Sequence, residues 1–155
     1  IMNMGVIEQV GTPIELYYNP RNMFVADFVG QINMVSGKIK LIDSEKKVLH
    51  VSTGIGEVTV TLTSEFKEND EVYIVFRPEN VEISKKNALV ENEGIAFKGI
   101  VDEIQFLGNL ARLNIMVDDT LIKAEIHDPV SRNIFTVGEQ VYLKVDAQHI
   151  RLLRK

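Results

Sequence analysis

The chain has 155 residues, room for one or two small domains with a core of their own, and 17 basic against 22 acidic residues give a net charge of −5. The short basic clusters (Lys46-Lys47, Lys85-Lys86, Arg151 to Lys155) are scattered among carboxylates, which argues against nucleic acid as a partner. Cysteine is absent, so disulfides, thiolate metal sites and a thiol nucleophile are excluded.

No apolar run reaches the roughly 18 to 20 residues of a membrane-spanning helix, and the start at Ile1 resembles no signal peptide. Direct membrane insertion is therefore not expected; membrane association would come through a protein partner. A beginning inside an apolar segment, without an initiator methionine, suggests an excised fragment.

Ile1 to Gly11 reads as a small hairpin turning at Met4-Gly5, marginal on its own and suited to extend a sheet edge. Thr12-Pro13-Ile14-Glu15 predicts a helix start with three agreeing signals: a threonine N-cap, proline at N1 and a glutamate closing a capping box. That helix must stop near Asn19, because Pro20 disfavours the helical conformation before it. Asn22 caps a second short helix, with Phe24 and Phe28 one above the other and Gly30 after its end. Gln31 to Ser36 is the expected junction.

From Ser36 onward, period-2 runs rich in Val, Ile, Thr and Tyr are broken by Gly, Asn and Asp every eight to twelve residues, the pattern of a β-barrel or sandwich. Predicted strands are Gly37–Ile42, Val48–Val51, Glu57–Leu62, Glu71–Phe76, Val81–Ile83, Ile95–Gln105, Leu110–Val117, Leu121–Ile126, Gln140–Val145 and Ile150–Leu153. Phe66 to Ile83 aligns without gaps on Phe135 to Leu152, an offset of 69 residues. Identities fall at Phe66/Phe135, Val72/Val141 and Tyr73/Tyr142, and Ile74/Leu143, Phe76/Val145, Val81/Ile150 and Ile83/Leu152 stay apolar. The β region is thus expected to hold two related halves, residues 36–86 and 94–155, linked by the polar stretch Asn87 to Glu93.

Candidate chemistry is sparse. A phosphate-binding loop G-x-x-x-x-G-K-[ST] is missing; Val35-Ser36-Gly37-Lys38-Ile39 lacks both its first glycine and its terminal hydroxyl and reads as a turn into a strand. His50, His127 and His149 have no metal-ligand spacing, and His127-Asp128 before Pro129 reads as a turn. Serines 36, 44, 52, 64, 84 and 131 form no nucleophile elbow, and Asp118-Asp119 reads as a hairpin tip. Arg77-Pro78-Glu79 and Leu107-Gly108-Asn109 are loops on a rigid β scaffold, where recognition tends to sit; their plainer readings are a solvated charge pair at the end of a strand and a tight turn.

Together these strings resemble one family. Met2 to Tyr17 through Pro20, followed by Phe24-Val25-Ala26-Asp27-Phe28-Val29-Gly30, is similar to the segment closing the nucleotide-binding domain of ABC importer ATPases. Phe76-Arg77-Pro78-Glu79-Asn80-Val81 resembles the RPE motif, and Phe106-Leu107-Gly108-Asn109 the LGN turn, of the transport-associated OB-type (TOBE) domain in the maltose, polyamine and ferric-iron importer group.

The resemblance implies a mainly β, OB-like barrel or sandwich over 31–155, preceded by a nucleotide-binding-domain tail over 1–30. It implies a regulatory and dimerisation module without catalytic, metal or nucleotide-binding residues, ATP and Mg²⁺ belonging to the full-length parent. Expected partners are a second copy, permease subunits in the parent, and a regulatory protein or small effector; the location is the cytoplasmic face of the membrane. Arg77, Pro78, Glu79, Gly108 and Asn109 become candidate partner or regulatory loops, and Ile14, Tyr17, Phe24 and Phe28 a candidate interface. The alternative is a module sensing an oxyanion or other small ligand.

Overall fold

A computed structural model describes residues 1–62, 66–86, 94–130 and 135–155. The expected link at Asn87 to Glu93, and Ser64 and Ser131, lie outside the described residues. The leading segment comprises β1 (Met2–Asn3), β2 (Val6–Ile7), α1 (Pro13–Tyr18) and α2 (Met23–Phe28). Then follow β3 (Asn33–Asp43), β4 (Val48–Thr53), β5 (Gly56–Thr61), β6 (Glu71–Phe76), a 3₁₀ turn (Pro78–Asn80) and β7 (Glu82–Ser84). The chain closes with β8 (Gly94–Phe106), β9 (Leu110–Val117), β10 (Thr120–His127), β11 (Gln140–Asp146), a second 3₁₀ turn (Ala147–His149) and β12 (Arg151–Arg154). The fold is mainly β, as expected.

The capping box forms as predicted: Thr12 Oγ1 accepts from the Glu15 N–H, and the Glu15 carboxylate accepts from the Thr12 N–H at 2.8 Å. Asn22 Oδ1 caps α2 through the Val25 N–H at 3.0 Å. The β1–β2 hairpin differs from expectation. It forms a two-stranded sheet of its own instead of extending the large one, with the Ile1 amine donating to the Gln9 carbonyl at 3.0 Å.

The ten-stranded sheet runs β10-β9-β8-β5-β4-β3-β6-β12, with β11 paired to both β8 and β7. β3 begins earlier than the sequence suggested: Asn33 to Ser36, read as a junction, pair with Phe76 to Tyr73. Their register is imposed by β6, and Val35 is buried between sheet faces whatever the strand propensity of its neighbours. One apolar core spans both halves, with Ile39, Leu49, Ile74, Phe76, Leu113, Ile115, Ile122 and Leu143 fully enclosed.

The aligned repeat has a direct structural counterpart. β6 and β11, the two 3₁₀ turns, and β7 and β12 occupy corresponding positions at the 69-residue offset. Pairing is reciprocal: Tyr142↔Ser84 and Leu143↔Ile83 between β11 and β7 correspond to Tyr73↔Leu153 and Ile74↔Leu152 between β6 and β12. Each half therefore gives its last strand to the other. The β3–β4–β5 meander matches β8–β9–β10, down to a register shift after Ile39 in one and after Val101 in the other. Lys85 stands over the Phe135 ring and Arg154 over Phe66, 5.4 and 5.5 Å from the centroids.

Candidate functional site at the helix–sheet junction

β6 reads Glu71-Val72-Tyr73-Ile74-Val75-Phe76, and its apolar run is continuous because both faces are covered. Val72, Ile74 and Phe76 enter the main core. Val75, on the opposite face, joins Leu153 of β12 and Ala26 of α2 in a second small core against which Met23, Ile32 and Tyr73 pack. At the 69-residue offset the counterparts of Val75 and Leu153 are Lys144 and Ser84, and among the described residues no helix covers that face. Lys144 there pairs with Asp146 at 2.6 Å, a contact that raises its pKa. The half that receives the helices is apolar where they land, and its counterpart is polar.

Arg77 follows β6 and points beneath the helices, with 7% of its surface exposed. The expected solvated pair of Arg77 and Glu79 is therefore corrected: this guanidinium is buried. Nη1 donates to the carbonyls of Ala26 (3.2 Å), Gly30 (2.8 Å) and Gln31 (3.1 Å), and Nη2 donates to that of Tyr17 (3.1 Å). The last carbonyls of a helix lack intrahelical donors and carry the negative end of its dipole. Neither α1 nor α2 has a basic residue in its last turn, so one arginine from the sheet serves both helix ends.

The guanidinium carbon also lies 4.0 Å from the centroid of the Tyr17 ring, and the Tyr17 hydroxyl donates to the Glu79 carboxylate. Burial, followed by that hydrogen bond and the Glu79 charge, pushes the Tyr17 phenol up to about 12. Arg151, from the other half, adds a second hold on α1: Nε donates to the Tyr18 carbonyl (2.9 Å) and Nη2 to Asn19 Oδ1 (3.4 Å). Gln9, also buried, ties the hairpin to the helix connection by donating to the Asn19 carbonyl (3.1 Å) and accepting from the Arg21 N–H (2.8 Å).

The predicted candidates thus separate. Arg77, Glu79 and Tyr17 come together at the junction, with Pro78 buried in the 3₁₀ turn beside them. Gly108 and Asn109 sit elsewhere, at the β8–β9 tip: Gly108 has φ +84° and the Asn109 carbonyl accepts from the Asp128 N–H at 2.8 Å. Ile14 and Phe28 face outward, 71% and 66% exposed, and Phe24 stacks on Phe28 with centroids 5.8 Å apart. Sequence reasoning missed Arg151, Gln9 and the second core, although Val75 opposite Lys144 in the repeat is a readable signal of the last.

Two recesses flank the β8–β10 strands. One, of about 130 Å³, is apolar and lined by Ile104, Phe106, Leu113, Ile126, Val130 and Phe135 among others. The other, also about 130 Å³, holds Arg112, Asn114 and Lys123, but carboxylates are already present: Arg112 pairs with Glu125 at 2.8 Å and Asn114 donates to Glu103 at 2.7 Å. Among the described residues no group of three His, Asp or Glu side chains could hold a metal ion, and no helix is long and apolar enough to cross a membrane.

A family model described as "TOBE domain" matches residues 74–153. Among curated proteins, the chain is 35% identical over 122 residues to a spermidine/putrescine import ATP-binding protein, PotA, of Thermotoga maritima, covering 79% of this chain and 33% of that protein. The protein of the same name from Acetivibrio thermocellus is 33% identical over 155 residues, covering 100% of this chain and 39% of its own length. The chain therefore spans between a third and two fifths of these two relatives. Among solved structures it is similar in fold to the cytoplasmic molybdate-binding protein ModG, with a TM-score of 0.68, 16% identity, and coverage of 79% of this chain and 96% of that one.

Proposed function

The chain belongs to the TOBE domain family, and we propose that it serves as the regulatory and dimerisation module of an ATP-hydrolysing ABC importer subunit, residues 1–30 joining it to the nucleotide-binding domain. The observation that carries this reading is the two-sided leading segment. Its inner side is built into the β module through Met23, Ala26 and the Arg77 contacts, while Ile14, Phe24 and Phe28 present an apolar outer side that a neighbouring domain can cover. In this reading ATP and Mg²⁺ bind elsewhere in the parent, permease subunits hold it at the inner membrane face, and a second copy meets the β module. The names of the relatives make polyamines the first solutes to test.

Light scattering at high micromolar concentration tests the dimerisation half, and a strict monomer removes it. Calorimetry with ATP tests the division of labour, and saturable micromolar binding overturns it. The alternative of an oxyanion sensor takes support from the likeness to ModG, which extends to the fold. Against it, the Arg112 recess is already neutralised by Glu125 and Glu103. Titration with molybdate separates the readings: binding favours the sensor, silence the regulatory module.

A further inference from the structure

We propose that Arg77 is the positioning residue of a reversible latch that orders α1 and α2 and makes them, with the β6 end and its 3₁₀ turn, a single joint. The inference does not depend on the importer reading. Helices of six residues are far below the length at which helices are stable alone in water, so α1 and α2 owe their order to what they touch. What they touch at their C-terminal ends is Arg77, through Tyr17 on α1 and Ala26 on α2, with Gly30 and Gln31 immediately beyond. Arg151 repeats the hold on α1 through the Tyr18 carbonyl.

Three features mark the joint as releasable. The Arg77 charge is compensated by carbonyl dipoles and the Tyr17 ring, so its desolvation is only partly offset and hydration favours release. The apolar seal is small, centred on Ala26, Val75 and Leu153. The Tyr17–Glu79 hydrogen bond closes its outer side at the half-buried Tyr17. Opening at Arg77 therefore loosens both helix ends at once, leaving α1 only the Arg151 contact, and a pull on the leading segment is delivered to β6 and, through its pairing with β3 and β12, to the sheet.

Amide hydrogen exchange on the whole chain tests this. Reporters are the Leu16, Asn19, Ala26 and Val29 amides, which bond to Thr12, Glu15, Asn22 and Val25; the Ile39 and Val101 amides, bonded to Asp70 and Glu139, report the sheet. Arg77→Ala is expected to lower protection at all four helix reporters by about ten- to a hundred-fold while the sheet reporters stay unchanged. Arg77→Lys supplies a charge without a two-armed fork and is expected to restore α2 in part and α1 not at all. Arg151→Gln should affect the α1 reporters alone. Unchanged helix reporters in Arg77→Ala, an equal loss in helices and sheet, or full rescue by Arg77→Lys overturns the proposal. If Arg77→Ala does not fold, an α1-only effect in Arg151→Gln and the split response in Arg77→Lys still decide it.

Discussion

The side chain of Asn33 pairs with the backbone of Lys123 as a strand would: Nδ2 donates to the Lys123 carbonyl at 2.8 Å and Oδ1 accepts from its N–H at 2.7 Å. In the other half the corresponding place is the backbone bridge between Thr59 and Gly94, Thr59 being the fourth residue after the β4–β5 turn as Lys123 is after the β9–β10 turn. Asn33, 3% exposed, therefore closes by side chain what the other half closes by main chain. Asn33→Leu keeps the branched outline but leaves both Lys123 groups without partners, and is expected to destabilise by about 2 kcal/mol. A urea midpoint lowered at constant slope is the expected readout; a change under about 0.5 kcal/mol, the scale of neutral surface substitutions, would count against this role.

Gly37 and Gly99 precede the two register shifts and lie close against the neighbouring strand. A Cβ at Gly99 would sit 2.7 Å from both Ile115 Cγ2 and the Met116 carbonyl oxygen, and 2.9 Å from Val117 Cγ2. At Gly37 only Val51 Cγ1, at 2.7 Å, comes as near; the Ser52 carbonyl oxygen is 3.2 Å away. Backbone yields less readily than a side chain, so Gly99→Ala should cost about 2 to 3 kcal/mol and Gly37→Ala about half of that. Gly54→Ala, with open space around it, is the control and should be near neutral. Thermal melts of the three rank them, and Gly37→Ala as the most damaging would contradict this reading.

How much was legible follows from which interactions are local. The caps of α1 and α2 are written within four residues, and the alternation of Val141, Leu143 and Val145 marks a one-sided strand directly. The repeat was readable because corresponding core positions face the same interior. The contacts of Arg77, itself a candidate from the sequence, were not, because its partners lie 46 to 60 residues away and are backbone carbonyls, which every residue has. Asn33 was hidden likewise: asparagine in a strand reads as a break, and only its position opposite Lys123, 90 residues on, turns it into a link.

The Tyr17 phenol keeps its proton up to about 12 in the folded chain against an ordinary 10, through burial and the Glu79 contact. Between those values the unfolded chain has released this proton and the folded chain has not. The folded state therefore binds more protons, and the stability linked to Tyr17 is complete below pH 10 and lost as pH rises towards 12. Urea midpoints across that range should fall more steeply for the wild type than for Tyr17→Phe. Equal slopes would show that the phenol–Glu79 contact does not hold in solution.

Removing residues 1–30 tests whether the leading segment is part of the fold or a passive tail. Val75 and Leu153, 4% and 7% exposed, would lose Ala26 and Met23 as cover, and Arg77 would lose the Tyr17, Ala26 and Gly30 carbonyls. The newly bared apolar strip lies on β6 and on the edge strand β12, where exposed strands seek partners. The truncated chain should melt earlier and associate at lower concentration than the whole chain. The other half shows the remedy, since the same strip uncovered carries Lys144 and Ser84 in place of Val75 and Leu153. Introducing Val75→Lys and Leu153→Ser into the truncated chain should restore a monodisperse species by light scattering, whereas the same pair in the whole chain should loosen α2. A truncated chain with unchanged melting and mass, or one that the double substitution makes no more soluble, would mean that the helices do not protect this face.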